Sequence, residues 1–267
     1  MKLKVKFLGT AQDAGIPQVG CRCKMCSSIK KGERERRLPV SLGVYHEETG
    51  KKYMFEATPA FTEQYERLQE FDCENERLDG IFLTHAHIGH YTGLFYLGKE
   101  ALNTKKVKVY VSEKMKRFLE KNAPWDQLIK RGNIVCEVFQ DRVPLEIASN
   151  FHVIPIEFPH RNEYADTFGF LIKGTKKLLF LPDLDSWKGI EDKVNGILEE
   201  CEYAVIDATF YSKNEIGKER GRDYSEIPHP SIEETVKAME EGVLERKNCR
   251  IIFFILTTQT VSLVRTN

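Results

Sequence analysis

Short apolar runs with the period of a β-strand recur along the whole chain, and few folds can absorb so many of them. They fall at 2–8, 40–46, 52–56, 80–84, 107–111, 134–139, 151–157, 168–173, 177–182, 203–207 and 250–255. Helical patterns fill several gaps: 60–70, Ser112 to Lys121 with Ser112 as N-cap, 190–200, and 231 to about 241, where Ser231 and Glu234 stand in capping-box spacing. Strands early and late, with helices in each half, predict an α/β chain folded as a four-layer α/β/β/α sandwich. Periodicity alone leaves a doubly wound sheet open. No repeat or Gly/Ser-rich linker interrupts the 267 residues, so a single domain over 1–267 is expected.

The opening "MKLKVKFLG" alternates lysine with apolar residues, which suits a half-buried strand and not a signal peptide. No run reaches the ~18 apolar residues of a membrane span. A cytoplasmic protein with no membrane partner is therefore expected. Forty basic residues balance forty acidic ones without a broad basic stripe, which argues against a nucleic-acid partner. The stretch "FYSKNEIGKERGRDY" carries Lys213, Lys218, Arg220 and Arg222. It reads as a surface loop, or as a pocket mouth that greets an anion.

The run at 80–84 ends in "THAHIGH", which places three of the chain's seven histidines within six positions. Residues two apart on an extended backbone point the same way, so His85 and His87 converge past the strand end. His90 follows in a turn and reaches the same region from the side. Imidazoles suit zinc, iron and similar ions, and three of them leave a coordination position free for chemistry. Ordinary surface histidines would not crowd in this way.

This run resembles the H-x-H-x-D-H signature of the metallo-β-lactamase superfamily, with Gly89 in place of the acid. The likeness continues in order. "YMFEATP" matches an early acidic strand end with Glu56, "FPHRNEYADTFGFLI" supplies His160, and "LLFLPDLDSW" supplies Asp183, with Asp185 as its neighbour. More narrowly, "FLGTAQDAGIPQVGCRCKMC" and "LPDLDSW" are similar to the pyrroloquinoline quinone biosynthesis protein B group. The cysteines are shared with the cyclic-phosphate phosphodiesterase of phosphonate breakdown. The resemblance implies the metallo-β-lactamase fold and one metal on His85, His87 and His160, bridged by Asp183 to a second. That second site would keep only His90 and Asp183, because residue 89 carries no ligand atom and the tail "LTTQTVSLVRTN" holds no histidine. One well-held ion of zinc, manganese or iron is thus expected, with a weak second position.

Cys21, Cys23 and Cys26 form C-x-C-x-x-C, within an N-terminal loop of about 9–30. In a reducing compartment such a cluster speaks for metal and against disulfides. Zinc wants four ligands. The phosphodiesterase just named fills the fourth place with a late histidine, and the matching residue here is His229, so a closed structural zinc site of Cys21, Cys23, Cys26 and His229 is implied. For function, the leading expectation is a metal-dependent hydrolase of a small anionic substrate, a phosphoester or cyclic phosphodiester. Asp183 would orient or deprotonate a water, and His90 would protonate the leaving group. Asp166 is read as loop polarity, with a bond to a ligand histidine as its alternative. An iron-dependent oxidative enzyme related to quinone biosynthesis, and a non-catalytic metal-binding relative, are the competitors. A homodimer is left open.

Overall fold

The computed structural model describes residues 2–215 and 229–254. Two six-stranded sheets carry the fold. The first runs in chain order: β1 (Leu3–Gly9), β2 (Ser41–His46), β3 (Lys51–Phe55), β4 (Gly80–Phe82), β5 (Val107–Val111) and β6 (Ile134–Val138). The second comprises β7 (Leu145–Ala148), β8 (Phe151–Phe158), β9 (Thr167–Lys173), β10 (Lys177–Leu181), β11 (Tyr203–Asp207) and β12 (Arg250–Phe254), laid side by side in that order. Both sheets begin as antiparallel meanders and end parallel, from β3 to β6 and from β10 to β12. Parallel neighbours need a crossover. The helices supply it: α1 (Lys24–Lys30) lies in the N-terminal loop, while α2 (Phe61–Gln69), α3 (Ile88–Tyr91), α4 (Glu113–Lys121), α5 (Trp125–Lys130), α6 (Glu191–Glu200) and α7 (Ile232–Glu240) lie in crossovers.

Three apolar seams show the layering. Between the sheets lie Phe55, Phe82, Phe170, Phe180, Val205 and Phe254. Outside the first sheet, Met54, Ile81 and Val109 meet Phe61 and Leu68 of α2, Met115 and Leu119 of α4, and Leu128 of α5. Outside the second, Leu179 and Leu181 meet Val194, Ile197 and Leu198 of α6, with Ala238 and Met239 of α7 beside them. Alternation along each strand does the sorting, because successive side chains face opposite sides of a sheet. In β9, Phe168, Phe170 and Ile172 turn to the central seam and Leu171 to the outer one. This is the four-layer α/β/β/α sandwich; the doubly wound alternative is excluded by two facing sheets.

Both expected helix caps form. Ser112 accepts from Met115 N at the start of α4, and Ser231 makes a full capping box with Glu234 at α7. Strand β7 and helices α1, α3 and α5 were not expected. Among the described residues, no helix is long and apolar enough to cross a membrane.

Candidate metal centre

The chemistry gathers where several strands end on one side of the sandwich. In open α/β sheets that is where backbone turns leave side chains free to converge. Past β4 come Thr84, His85 and His87, past β8 comes His160, past β10 comes Asp183, and Asp207 closes β11. Past β3, Glu56 takes φ +76, a left-handed conformation that costs a non-glycine residue about 1–3 kcal/mol. The bend turns its buried carboxylate under the histidines, within 3.4 Å of Thr84 N and 3.5 Å of His90 Nδ1.

His85 Nε2 lies 2.8 Å from His87 Nδ1, which lies 3.3 Å from His160 Nε2. The partners behind the rings decide what meets there. A carboxylate only accepts, so His160 Nδ1 carries the proton that it donates to Asp185 Oδ1 at 2.9 Å. By the same logic His87 Nε2 donates to Glu163 Oε2 at 3.2 Å. His160 Nε2 and His87 Nδ1 are then bare lone pairs facing each other, and His85, backed by Thr84 Oγ1 at 2.8 Å, brings a third nitrogen. Lone pairs so arranged repel unless a cation lies among them. Partners that fix tautomer and ring orientation are also what ligand histidines need.

Asp183 stands between two further groups, one with His85 and His90 and one with His160 and His229. Its Oδ2 lies 3.3 Å from His90 Nε2, yet among the described residues it is buried without a hydrogen-bond partner, as are His90 Nδ1 and Glu56 Oε1. Each such orphan costs about 1–3 kcal/mol, which a bound ion would offset. The donor set of imidazoles and carboxylates therefore fits a transition-metal or zinc ion. Burial, reinforced by neighbouring rings, pushes His85 well below its ordinary value and His160 down to about 2, so both keep the neutral form that binds metal. Burial opposes charge on His90 too, but Asp183, Glu56 and Asp13 hold it well above the usual range. Burial drives Asp183 up to about 7 against the pull of His90 and His229.

His229 corrects an expectation. It does not complete the thiol cluster; its Nδ1 donates to Asp207 Oδ2 at 2.6 Å, and its ring centroid lies 5.2 Å from that of His160. The reason is the crossover from β11. Ile232 N and Glu233 N bond Phe210 O and Tyr211 O at 2.8 and 3.0 Å, which pins the start of α7, and His229 with it, to the end of β11. His229 thus stands beside His160 and Asp183, ahead of β12 in the chain, and the tail itself lies outside the described residues. The sulfurs of Cys21, Cys23 and Cys26 lie within 4.8 Å of one another, and among the described residues no fourth histidine, cysteine or acid joins them. Backbone N–H groups serve them: Gln18 N donates to Cys26 Sγ and Cys26 N to Cys23 Sγ, the latter capping α1. Asp166 accepts from Ser112 Oγ and pairs with Lys114, away from the ligand histidines. Lys213 pairs with Glu234 at 2.6 Å, while Lys218, Arg220 and Arg222 lie outside the described residues.

Sequence reading passed over Asp207, Asp13 and Arg161. Asp207 ends the apolar run "YAVID", the same sign that singled out Asp183. Arg161 follows His160 directly and acts electrostatically on His87, His160 and His229, yet its Nε is buried with no hydrogen-bond partner among the described residues.

Comparison with known proteins agrees with this fold. The model of the family described as "Beta-lactamase superfamily domain" matches residues 51–247. Coenzyme PQQ synthesis protein B of Nitrosococcus oceani is 25% identical over 246 residues, covering 79% of this chain and 75% of that protein. Among solved structures, Zn²⁺-bound PqqB from Methylobacterium extorquens superposes with a TM-score of 0.76 at 16% identity, over 100% of this chain and 93% of that one. A diphosphatase of the PhnP family gives a TM-score of 0.69 at 21% identity, over 100% and 91%. Two facing sheets, histidines at the strand ends and a family match across most of its length have one meaning: the chain belongs to the β-lactamase superfamily.

Proposed function

We propose that this protein is a metal-dependent hydrolase of small phosphoesters, cyclic phosphodiesters among them. The observation that carries the metal is the meeting of ring nitrogens from His85, His87 and His160, those of His87 and His160 bare. A cation held there supplies Lewis acidity, which acidifies a water and draws charge from a phosphoryl oxygen. Asp183, whose Oδ2 has no hydrogen-bond partner among the described residues, receives the water's proton on its carboxylate. His90 Nε2, between Asp13 and Asp183, is the group that would meet charge on the leaving oxygen, as a proton donor where it carries a proton and through a cation where one is bound to it. The choice of phosphate rests on Arg161, whose buried Nε has no hydrogen-bond partner among the described residues, and on the likeness to a protein described as a diphosphatase. The thiol triad remains a structural zinc site in this reading, its fourth ligand not being His229.

The test is hydrolysis of bis(p-nitrophenyl) phosphate and of 2′,3′-cyclic nucleotides, with metal content per chain measured by mass spectrometry. Turnover should vanish on chelation, return with zinc or manganese, and be absent from His87→Ala, which loses an ion. Iron in the wild type with oxygen consumption and no phosphoester turnover would instead favour an oxidative enzyme, the reading that the likeness to PQQ synthesis protein B supports. Arg161→Ala should raise KM for a phosphodiester roughly ten- to hundredfold, the value of a hydrogen bond to a charged group, with kcat much less affected. An unchanged KM removes Arg161 from the substrate site.

A further inference from the structure

The signature acid is missing at residue 89, but its place is filled. Gly89 is buried on α3, and a Cβ built there would overlap the Asp13 carboxyl group, with Oδ1 only 2.5 Å away. Asp13 comes from the loop after β1, remote in sequence, and its Oδ1 lies 3.2 Å from His90 Nε2. That same nitrogen lies 3.3 Å from the unpartnered Oδ2 of Asp183. We propose that Asp13 is an acidic ligand of a second cation, shared with His90 and Asp183, and that it occupies the volume an acid at residue 89 would otherwise use.

The loop is built to present this residue. Gly15 N bonds Gln12 O at 2.8 Å, closing a turn with Asp13 at its second position, and Gly15 supplies the φ of +71 that ends it. The Gln12 side chain ties the turn twice more, accepting from Ala14 N at 3.0 Å and donating to Gly15 O at 3.2 Å. Thr10 N and Ala11 N both bond Leu38 O, and Ile16 N bonds Arg37 O, so the loop is pinned on either side of the turn. A carboxylate held this firmly beside a fully buried imidazole has a small reach. It serves one place, between His90 and Asp183. Glu56 Oε1, buried and unpartnered behind His90 Nδ1, adds the outer contact that orients a ligand ring. His229, hydrogen-bonded to Asp207, faces Asp183 from the other side, so the second position does not depend on a histidine in the tail.

The inference rests on the metal-dependent reading, and a swap of residues tests it separately. Protein purified without added metal is titrated with zinc or manganese, and bound ions per chain are counted by native mass spectrometry for wild type, Asp13→Ala, Gly89→Asp and the double variant. Wild type should hold one ion more than Asp13→Ala, or bind its last ion at least about 100-fold more tightly, since losing even an outer contact costs up to that much. Gly89→Asp alone should gain nothing, because its side chain meets that of Asp13. The double variant should regain the lost ion. Equal stoichiometry and affinity in Asp13→Ala and wild type overturns the proposal, and so does a loss that the second change fails to repair. Failure of the metal-dependent reading shows up differently, as a His87→Ala variant that loses no ion at all.

Discussion

Asp183→Asn should lower kcat by about 10³-fold, within the range of about 10²–10⁴ expected for a positioned proton acceptor, while leaving the fold intact. Asp183 belongs to both carboxylate-containing ligand groups, so it stands beside His85, His90, His160 and His229. Asparagine preserves shape and one carbonyl oxygen. It removes the negative charge, and it turns one oxygen into an N–H that faces His90 or a cation with the wrong polarity. Because Asp183 is buried with an unpartnered oxygen, the substitution relieves a desolvated charge, and circular dichroism should show native secondary structure. Steady-state kinetics on bis(p-nitrophenyl) phosphate provide the measurement. A loss of less than tenfold would take the proton-accepting role away from Asp183.

The second large effect lies in the central seam. Phe170 is fully buried, and its ring lies 5.5 Å from that of Phe55, 5.6 Å from Phe82 and 5.6 Å from Phe139. These contacts are edge-on or T-shaped, the arrangement that aromatic quadrupoles favour. Phe170→Ala should cost about 3–5 kcal/mol, since the surrounding rings are held on or just past strands of the facing sheet and cannot collapse into the space. For a chain of this size the melting temperature should fall by roughly 6–20 °C. Val5→Ala, at a position 39% exposed on β1, should stay within about 0.5 kcal/mol and serves as the control. Urea unfolding with an unchanged slope separates lost stability from a changed unfolded state. If both variants unfold alike, the seam between the sheets is not where the stability resides.

The strands were legible because burial on two faces writes long apolar runs, as in "TFGFLIK" and "KLLFL". Strand β7 was missed: its four residues, Leu145–Ala148, are half-exposed and carry no such run. Helix α1 hides behind its cysteines, since Cys23 caps it through a sulfur where an oxygen is usual. His85 and His87 could be paired from spacing alone, because a strand holds residues two apart on one side. The partner of His229 could not. A capped helix after it was visible, but what it faces depends on hydrogen bonds to the end of β11, and only the folded crossover reveals those. Asp13 and His90 lie 77 positions apart, and no periodicity relates them. Sites assembled from strand ends combine local signals that can be read with meetings across the fold that cannot.

Gly89 and Asp13 contend for one volume, and that ties their histories together. A lineage that gained an acid at 89 while keeping Asp13 would carry a steric overlap. One that lost Asp13 first would leave His90 and Asp183 without their third acidic neighbour. Neither half-step is a comfortable resting point, so relatives are expected to carry the acid on the turn or on the helix and not on both. A search that asks only for the acid on the helix would pass over a chain such as this one, where a carboxylate from the turn fills the volume beside residue 89.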